Sequence, residues 1–306
     1  MRATFSNLLV QMGKKDSNIL LITGDHGYSL FDDFRRECPR QYINAGIAEQ
    51  NMVGISAGLA RAGFRPIVYG LSSFIPIRVL EQIKIDVAYD SLPIIFIGDG
   101  AGFVYSHLGT SHQSTEDISC TRAIPNLSVY SPCDRFELLH CFNRAYEEKT
   151  SVYIRLGKAD LGDIHQPTKE FEAGKLIKVR SSKKSEFSLI ATGSMVKSAI
   201  DVADKLKIEI DVWSVPFIKP IDYETLKDIC YNSRAIVVLE EHSKYGGLGS
   251  LVSEIASSTS PVQILQIAVN DRFSEKCGTY EYLLKEHQLD FESIHKKISS
   301  FLVNFK

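Results

Sequence analysis

Short apolar runs alternate with helical patterns along the whole chain. In its first half we predict strands at 18–23, 41–44, 65–70, 93–98, 127–131 and 151–156. Their apolar residues are nearly continuous, which is typical of parallel strands that are buried on both faces of a sheet. Helical patterns lie between them, notably at 49–62 and 78–90. This order predicts a doubly wound α/β domain.

The pattern changes between about 160 and 180, where the chain is polar and irregular. Such a stretch predicts a crossing segment between domains. A second α/β series follows, with strands predicted at 187–192, 208–214, 234–240 and 262–267. Glycines in the segment LEEHSKYGGLGS, 239–250, allow either an anion site at a helix start or close packing between subunits. We therefore predict two α/β domains with mostly parallel sheets, at 1–165 and 178–306.

Composition limits the function only broadly. The chain has 306 residues, of which 44% are hydrophobic and 24% charged, and its formal net charge is −2. This charge gives no broad electrostatic reason to bind nucleic acid or an acidic membrane. The six cysteines form no C-x-x-C pair, and no apolar run approaches the ~20 residues that cross a bilayer. We expect a cytoplasmic enzyme with reduced cysteines and neither a nucleic-acid nor a membrane partner.

The most informative segment is 43–63, INAGIAEQNMVGISAGLARAG. A predicted strand ends near Asn44, and a helix begins near Glu49, with Gly54 and Gly58 four residues apart on one face. An acid at a helix start has an ordinary structural explanation, because the helix dipole stabilises it. The motif G-I-A-E-Q-N-M, followed by G-L-A, nevertheless resembles the one that carries the cofactor-activating glutamate of the transketolase family. Neighbouring motifs follow in the family's order, so the resemblance covers nearly the whole chain.

The resemblance implies one part of such an enzyme, the pyrimidine-binding domain followed by the C-terminal domain. It also implies thiamine diphosphate as the cofactor. In this family a glutamic acid donates a hydrogen bond to the pyrimidine nitrogen N1′, which helps the cofactor lose the proton on its thiazolium carbon. Glu49 would then carry a proton at neutral pH. We expect Glu49 to be both the catalytic acid and a cofactor ligand.

Two further family motifs add candidate residues. In LSSFIPIRVLEQ, 71–82, Phe74 matches the aromatic residue that stacks on the aminopyrimidine ring, and Arg78 matches an arginine that binds substrate phosphate. In LGTSHQSTEDI, 108–118, His112 takes the place of a substrate-binding histidine, and we include it among the catalytic residues. Each residue has an ordinary alternative, namely core packing for Phe74, a surface salt bridge for Arg78 and a structural role for His112.

Four more residues match substrate-binding positions of the family. The start MRATFSNLL places Arg2 on a phosphate-binding arginine, and GDHGYS, 24–29, resembles an A-D-L-x-x-S turn that places Asp25 and Ser29 on matching positions. Arg155 lies at the end of the last predicted strand of the first domain, as another family arginine does. Since arginine binds phosphate bidentately, we expect these residues to contact the substrate.

The diphosphate signature of the family, G-D-G followed by Asn, has a possible match in Gly98, Asp99, Gly100 and Asn126. We do not interpret these residues as the diphosphate site, because in the family's register they lie within the pyrimidine domain. The diphosphate domain normally comes first, and only Met1 precedes Arg2. The resemblance therefore implies a separate subunit that holds the diphosphate through Mg²⁺, an active site between two chains, an α₂β₂ assembly and no metal ligand here.

Two positions depart from the family and bear on the substrate. Leu108 replaces an aspartate that contacts a sugar hydroxyl, and Gly100 replaces a second histidine, twelve residues before His112. Because lost polar partners weaken selection for a hydroxyl, we expect a specialised sugar or a sugar-like donor rather than the ordinary pathway sugars.

The sequence favours a transketolase subunit that moves a two-carbon ketol unit between sugars or sugar phosphates. A 2-oxoacid dehydrogenase beta-type subunit and a deoxyxylulose-phosphate-synthase-like subunit are alternatives, and a non-catalytic stabilising subunit is another. The T-S-H-Q motif at 110–113 and the phosphate-type arginines disfavour the dehydrogenase. Intact Glu49, Phe74 and His112 disfavour a non-catalytic role.

Overall fold

The computed structural model describes residues 1–27, 29–158, 161–167, 171–172 and 174–305. The first half of the chain contains α1 (Arg2–Lys15), β1 (Ile19–Thr23), α2 (Asp32–Glu37), β2 (Tyr42–Asn44), α3 (Glu49–Arg61), β3 (Arg65–Leu71), α4 (Leu80–Gln82), β4 (Ile95–Asp99), α5 (Asp117–Arg122), β5 (Leu127–Tyr130), α6 (Arg135–Glu147) and β6 (Ser151–Leu156). None of the helices in the described ranges has both the length and the apolarity to cross a bilayer.

The second half of the chain continues the alternation of strands and helices. It contains β7 (Ile177–Arg180), β8 (Phe187–Ala191), α7 (Met195–Lys205), β9 (Ile210–Ser214), β10 (Phe217–Lys219), α8 (Tyr223–Asn232), β11 (Ala235–Ser243), α9 (Leu248–Ser258), β12 (Gln263–Val269), α10 (Tyr280–Glu286) and α11 (Phe291–Leu302). Every strand predicted from the apolar runs is therefore present, with ends that shift by a few residues.

Two sheets define the first and the second domain. The first sheet has seven strands in the order β10-β5-β6-β4-β3-β1-β2, and the second has five in the order β12-β11-β8-β9-β7. Within the described residues, neighbouring strands are parallel except for β10 beside β5 and β7 beside β9. Strands β1, β4 and β6 are buried along their whole length, as central parallel strands are. The predicted fold class, two mostly parallel α/β domains, is confirmed.

Strand β10 comes from the second half of the chain but extends the first sheet. Phe217 pairs with Tyr130 and Lys219 pairs with Val129, both on β5. The apolar pattern did not predict β10 or β7, because strands of three or four residues leave little periodicity. Since β10 crosses between the two sheets, the boundaries at 1–165 and 178–306 stay a prediction.

The helix predicted at 78–90 is present but irregular. A 3₁₀ turn at Ile77–Val79 leads into α4, and a π-helical segment, Ile83–Ala88, follows it. The amide of Tyr89 bonds to the carbonyl of Lys84, five residues earlier, at 3.0 Å. Such π-helical turns often lie near functional sites, and this one begins nine residues after Phe74.

The glycine-rich segment before α9 binds a carboxyl group that belongs to the chain itself. The Glu240 carboxyl oxygens accept hydrogen bonds from the amides of Leu248 and Gly249, each at 2.8 Å, and so cap the helix. Burial raises the pKa of Glu240 to about 7. Burial also lowers the pKa of His242, whose Nδ1 lies 3.7 Å from Glu240 Oε2, to about 4. Between these values the folded chain keeps both side chains uncharged.

The substitution Glu240→Gln should expose a pH dependence that the two groups cancel in the natural chain. The raised pKa of Glu240 stabilises the fold below its unfolded value, about 4.3, and this stability is lost as pH rises through 7. The lowered pKa of His242 stabilises the fold above about 6.5, and this stability is lost as pH falls through 4. Between pH 4.5 and 6.5, Glu240 therefore makes the free energy of unfolding fall with rising pH, whereas His242 makes it rise.

Relative to the natural chain, the free energy of unfolding of Glu240→Gln should therefore rise with pH by up to about 1.4 kcal/mol per unit between pH 4.5 and 6.5. Urea unfolding at several pH values measures it. His242→Gln is the matched control and should show the opposite slope. Parallel curves for all three proteins would contradict these assignments.

Candidate active site

The two residues predicted to bind a cofactor, Glu49 and Phe74, meet two histidines at one edge of the first sheet. Glu49 begins α3 shortly after β2, His26 follows β1, and Phe74 follows β3. His112 lies on the segment that follows β4. Because the carboxyl ends of parallel strands meet at the same edge of a sheet, these four side chains converge.

Glu49 is the buried acid of this cluster, with 3% of its surface exposed. Its Oε2 accepts a hydrogen bond from Arg78 Nη1 at 3.0 Å, and His26 Nε2 lies 3.9 Å from Oε1. Among the described residues, Oε1 is buried without a hydrogen-bond partner. A buried polar atom without a partner destabilises a fold by about 1–3 kcal/mol. Oε1 is therefore available for contact with a bound ligand.

Phe74 provides a flat apolar surface beside Glu49. Its ring lies 5.8 Å from the His26 ring and 5.3 Å from the His112 ring, measured between centroids. The guanidinium carbon of Arg78 lies 4.0 Å from the centroid of the same ring. The Phe74 ring thus stacks with a planar, polar group, the Arg78 guanidinium, next to the Glu49 carboxyl group. An aminopyrimidine ring is also planar and polar, and it requires the same combination of an aromatic face and a carboxyl group.

His26 is a site residue that the sequence analysis did not include. Burial lowers its pKa below the usual range, against the opposing charge of Glu49, so the imidazole is neutral at neutral pH. Its Nδ1 is buried without a hydrogen-bond partner among the described residues. The available signal was its position, because the family's A-D-L-x-x-S turn has leucine where this chain has His26.

Asp25 and Ser29 lie on the same turn as His26, and both are exposed. Together with His26 and Asn44 they line a cleft with a volume of 190 Å³. Residue 28 lies outside the described residues. The turn therefore presents a carboxylate and a hydroxyl group to solvent beside the buried cluster.

Arg2 lies against a buried carboxylate. Its Nε is 3.2 Å from Asp99 Oδ2, and the hydroxyl groups of Tyr69 and Tyr105 donate to the same oxygen at 2.7 and 2.9 Å. Asp99 is 2% exposed, whereas 45% of the Arg2 side chain is exposed. The charge of Arg2 is thus balanced from inside the protein, while nearly half of its side chain is exposed.

Arg155 does not join the cluster around Glu49. It is 2% exposed, and its Nε donates to Asp117 Oδ2 at 2.8 Å. Its Nη2 donates to the carbonyl oxygen of Glu241, on β11, at 2.7 Å. A guanidinium that is enclosed and paired in this way is not accessible to a phosphate group. Its surroundings do not favour the expected substrate contact, and we assign Arg155 a structural role between the domains.

The Tyr105 ring lies against the backbone of Gly100. Gly100 has a φ angle of +80°, and a β-carbon there would overlap the Tyr105 ring. The ring thus occupies the space into which a side chain at position 100 would project. Leu108, on the same segment, is 55% exposed. This segment therefore presents a phenol and an aliphatic side chain where the family pattern has histidine and aspartate.

The possible G-D-G…N signature is not assembled in the structure. Asp99 ends β4, whereas Asn126 precedes β5, which runs parallel to it with β6 between them. The two residues thus lie at opposite edges of the sheet, separated by about 15 Å, the length of a five-residue strand. Asn126 Nδ2 instead donates to the carbonyl oxygen of Ala88 at 3.2 Å.

Cys133, Glu137 and His165 form a buried group of residue types that bind metals. Glu137 accepts hydrogen bonds from the Cys133 amide at 2.8 Å and the Ser214 hydroxyl at 2.6 Å, and its Oε1 lies 2.9 Å from His165 Nε2. The carboxylate therefore already has its hydrogen-bond partners. We interpret the group as a polar network that joins the two domains.

Both halves of the chain match known protein families. Residues 1–163 match the transketolase pyrimidine-binding domain, and residues 175–294 match the transketolase C-terminal domain. The chain is 32% identical to an apulose-4-phosphate transketolase subunit of Phocaeicola vulgatus, across 98% of this chain and 97% of that protein. It is 34% identical to a 1-deoxy-D-xylulose-5-phosphate synthase of Clostridium acetobutylicum, across 97% of this chain and 48% of that enzyme.

A solved structure is also similar over nearly the full length. It is described as a split gene transketolase, an inactive beta4 tetramer. The two structures superpose with a TM-score of 0.87 at 30% sequence identity, across 99% of this chain and 97% of the other.

Proposed function

Because this chain belongs to the transketolase family, we propose that it is one subunit of a thiamine-diphosphate-dependent transketolase. It binds the pyrimidine end of the cofactor, and a separate subunit holds the diphosphate through Mg²⁺. The observation that carries this proposal is the buried Glu49 carboxyl with an unpartnered oxygen beside Phe74. The relative from Phocaeicola vulgatus, which has nearly the same length, is named as one subunit of a transketolase, and this supports the division into two chains.

Glu49 and Phe74 hold the pyrimidine ring in this proposal. Phe74 supports its face, and the Glu49 carboxyl donates a hydrogen bond to N1′. To donate, Glu49 has to carry a proton, so its ion pair with Arg78 opens when the cofactor binds. The cofactor supplies a carbon nucleophile that takes up and releases the two-carbon ketol unit. Arg78 then becomes available for an anionic group of the substrate.

The substrate sugar lies between the exposed turn after β1 and the segment that carries His112. His112 hydrogen-bonds a substrate oxygen and moves a proton when required. Asp25, Ser29 and the exposed edge of Arg2 contact the far end of the sugar. Arg155 is left out of the proposed site because it is buried. Leu108 replaces a polar contact with an apolar one, which favours a specialised sugar over the ordinary pathway sugars.

A second candidate is a subunit of a deoxyxylulose-phosphate-synthase type. The specific observation in its favour is the 34% identity to the enzyme of Clostridium acetobutylicum, of which this chain spans about half. The two reactions differ in the product, since a synthase of that kind is named for 1-deoxy-D-xylulose 5-phosphate and a transketolase moves a two-carbon ketol unit between sugars. Assays for each product in turn separate the two candidates.

The partner subunit docks on the exposed face of α3. Gly54 and Gly58 are exposed there, and apart from the adjacent residues and the backbone of α3 itself, no described atom lies within 4 Å of a β-carbon built on either. Ile47 is 74% exposed and Tyr89 is 81% exposed on the neighbouring segments. Because Glu49 begins the same helix, a partner on this face would lie next to the cofactor site. Two such pairs form the proposed α₂β₂ assembly.

Glu49→Gln should reduce ketol transfer at least 100-fold, because an amide can still donate a hydrogen bond to N1′ but is too weak an acid to share its proton with that nitrogen, and such general-acid assistance contributes about 10²–10⁴-fold. The measurement is ketol transfer by this chain together with a diphosphate-domain subunit, thiamine diphosphate and Mg²⁺. Glu224→Gln is the matched control, since Glu224 also lies in the first turn of a helix but is exposed. Unchanged turnover in Glu49→Gln would remove Glu49 from the mechanism, and full activity of this chain alone would refute the two-subunit arrangement.

Gly58→Leu should leave the fold intact but prevent assembly with the partner. The new side chain meets open space in the isolated chain, and leucine favours a helix over glycine by about 1 kcal/mol. The thermal midpoint of the chain should therefore stay equal or rise, while size-exclusion chromatography should show loss of the complex.

Lys227→Leu, at an exposed position of α8, adds the same side chain on another face and should assemble normally. Assembly of Gly58→Leu with unchanged affinity would show that the partner does not dock on α3.

A further inference from the structure

The segment that carries His112 is a loop closed at its base. Gly102 and Ser114 exchange two backbone hydrogen bonds, from Gly102 N to Ser114 O at 2.7 Å and from Ser114 N to Gly102 O at 2.9 Å. Residues 103–113 therefore form a compact loop whose ends are fixed together. Within it the structure has two short 3₁₀ turns, and His112 ends the second of them.

Glu241, on β11 of the second domain, holds one end of this loop. Its Oε1 accepts the amide hydrogen of Phe103 at 2.6 Å. Its Oε2 accepts hydrogen bonds from the hydroxyl groups of Ser194 and Tyr280, so the carboxylate is itself fixed. Gly102 has a φ angle of +68°, and a β-carbon there would overlap the Glu241 carboxylate. The side chain therefore packs directly against the loop backbone.

Other residues of the second domain hold both ends of the loop. The Phe103 ring stacks on the His287 ring, with centroids 4.7 Å apart and planes at 22°. The Ser274 hydroxyl donates to Gln113 Oε1 at 2.8 Å and lies 2.9 Å from His287 Nε2. Because Gln113 follows His112 directly, this contact fixes the chain next to the proposed substrate-binding side chain.

We propose that Glu241 is a positioning residue, through which the second domain sets the place of His112 relative to Phe74. The chain of contacts runs from Glu241 to the Phe103 amide, through the closed base of the loop, and to the His112 ring, which lies 5.3 Å from the Phe74 ring. The C-terminal domain thereby controls substrate binding by way of the loop backbone. This inference rests on the proposed function, because that proposal assigns His112 to the substrate.

The test compares Glu241→Ala with Glu241→Gln in the complex with the partner subunit. Glutamine keeps an oxygen for the Phe103 amide and should restore near-natural kinetics. Alanine leaves that amide without its acceptor, so the KM for the sugar acceptor should rise at least 10-fold, while kcat falls less and the half-saturating concentration of thiamine diphosphate stays unchanged. A merely structural role would lower the active fraction, and therefore kcat, at an unchanged KM.

Two further variants keep the test decisive if Glu241→Ala folds poorly. Ser274→Ala removes the contacts with Gln113 and with His287 Nε2 and should raise the same KM about 3-fold. Ser257→Ala, at an exposed position of α9, is the matched control for Ser274→Ala and should leave KM unchanged. Hydrogen exchange of the amides at 102–114 in the full chain should be faster in Glu241→Ala and Ser274→Ala than in Ser257→Ala.

The outcomes separate this inference from the proposed function. Unchanged KM and unchanged exchange in both Glu241→Ala and Ser274→Ala would overturn the positioning role. Absence of ketol transfer by the natural complex would overturn the proposed function instead, and the exchange measurement on the chain alone would still decide whether Glu241 holds the loop.

Discussion

The Glu49 carboxyl is buried at the first turn of α3 with only one of its two oxygens hydrogen-bonded among the described residues. The rest of the site is arranged around the other oxygen. His26 approaches it from the end of β1, and Phe74 provides a flat surface beside it. A buried carboxyl oxygen without a hydrogen-bond partner destabilises the isolated chain, and proteins retain such a group where it binds a ligand. The proposed division of the cofactor between two subunits gives this oxygen a partner.

The second domain contributes to the site from a distance. Its carboxylate Glu241 holds the His112 loop, and its backbone accepts a hydrogen bond from the buried Arg155. Strand β10 also lies in the sheet of the first domain. The two domains are therefore joined by a shared sheet, a hydrogen bond from the buried Arg155 to the Glu241 carbonyl and a loop anchor, so a displacement of one domain would change the place of His112.

The fold followed largely from the sequence, because central parallel strands leave nearly continuous apolar runs that few other structures produce. Strands β7 and β10 did not, since their pairing depends on partners far along the chain. Local motifs predicted Glu49, Phe74 and His112 as site residues, and the structure brings these three side chains together. They could not reveal that Asp117 encloses Arg155, or that Tyr105 fills the space beside Gly100. Those contacts are tertiary, and a motif records only residues that are close in sequence.

The most direct test of the proposed shared site is calorimetric titration of thiamine diphosphate with Mg²⁺ into this chain, into a diphosphate-domain subunit, and into their mixture. The site on this chain contacts only the pyrimidine end of the cofactor in our proposal. We therefore expect saturable binding only in the mixture, with one cofactor for each pair of this chain and a diphosphate-domain subunit. Tight binding to this chain by itself would contradict the claim that its site is one half of a shared site.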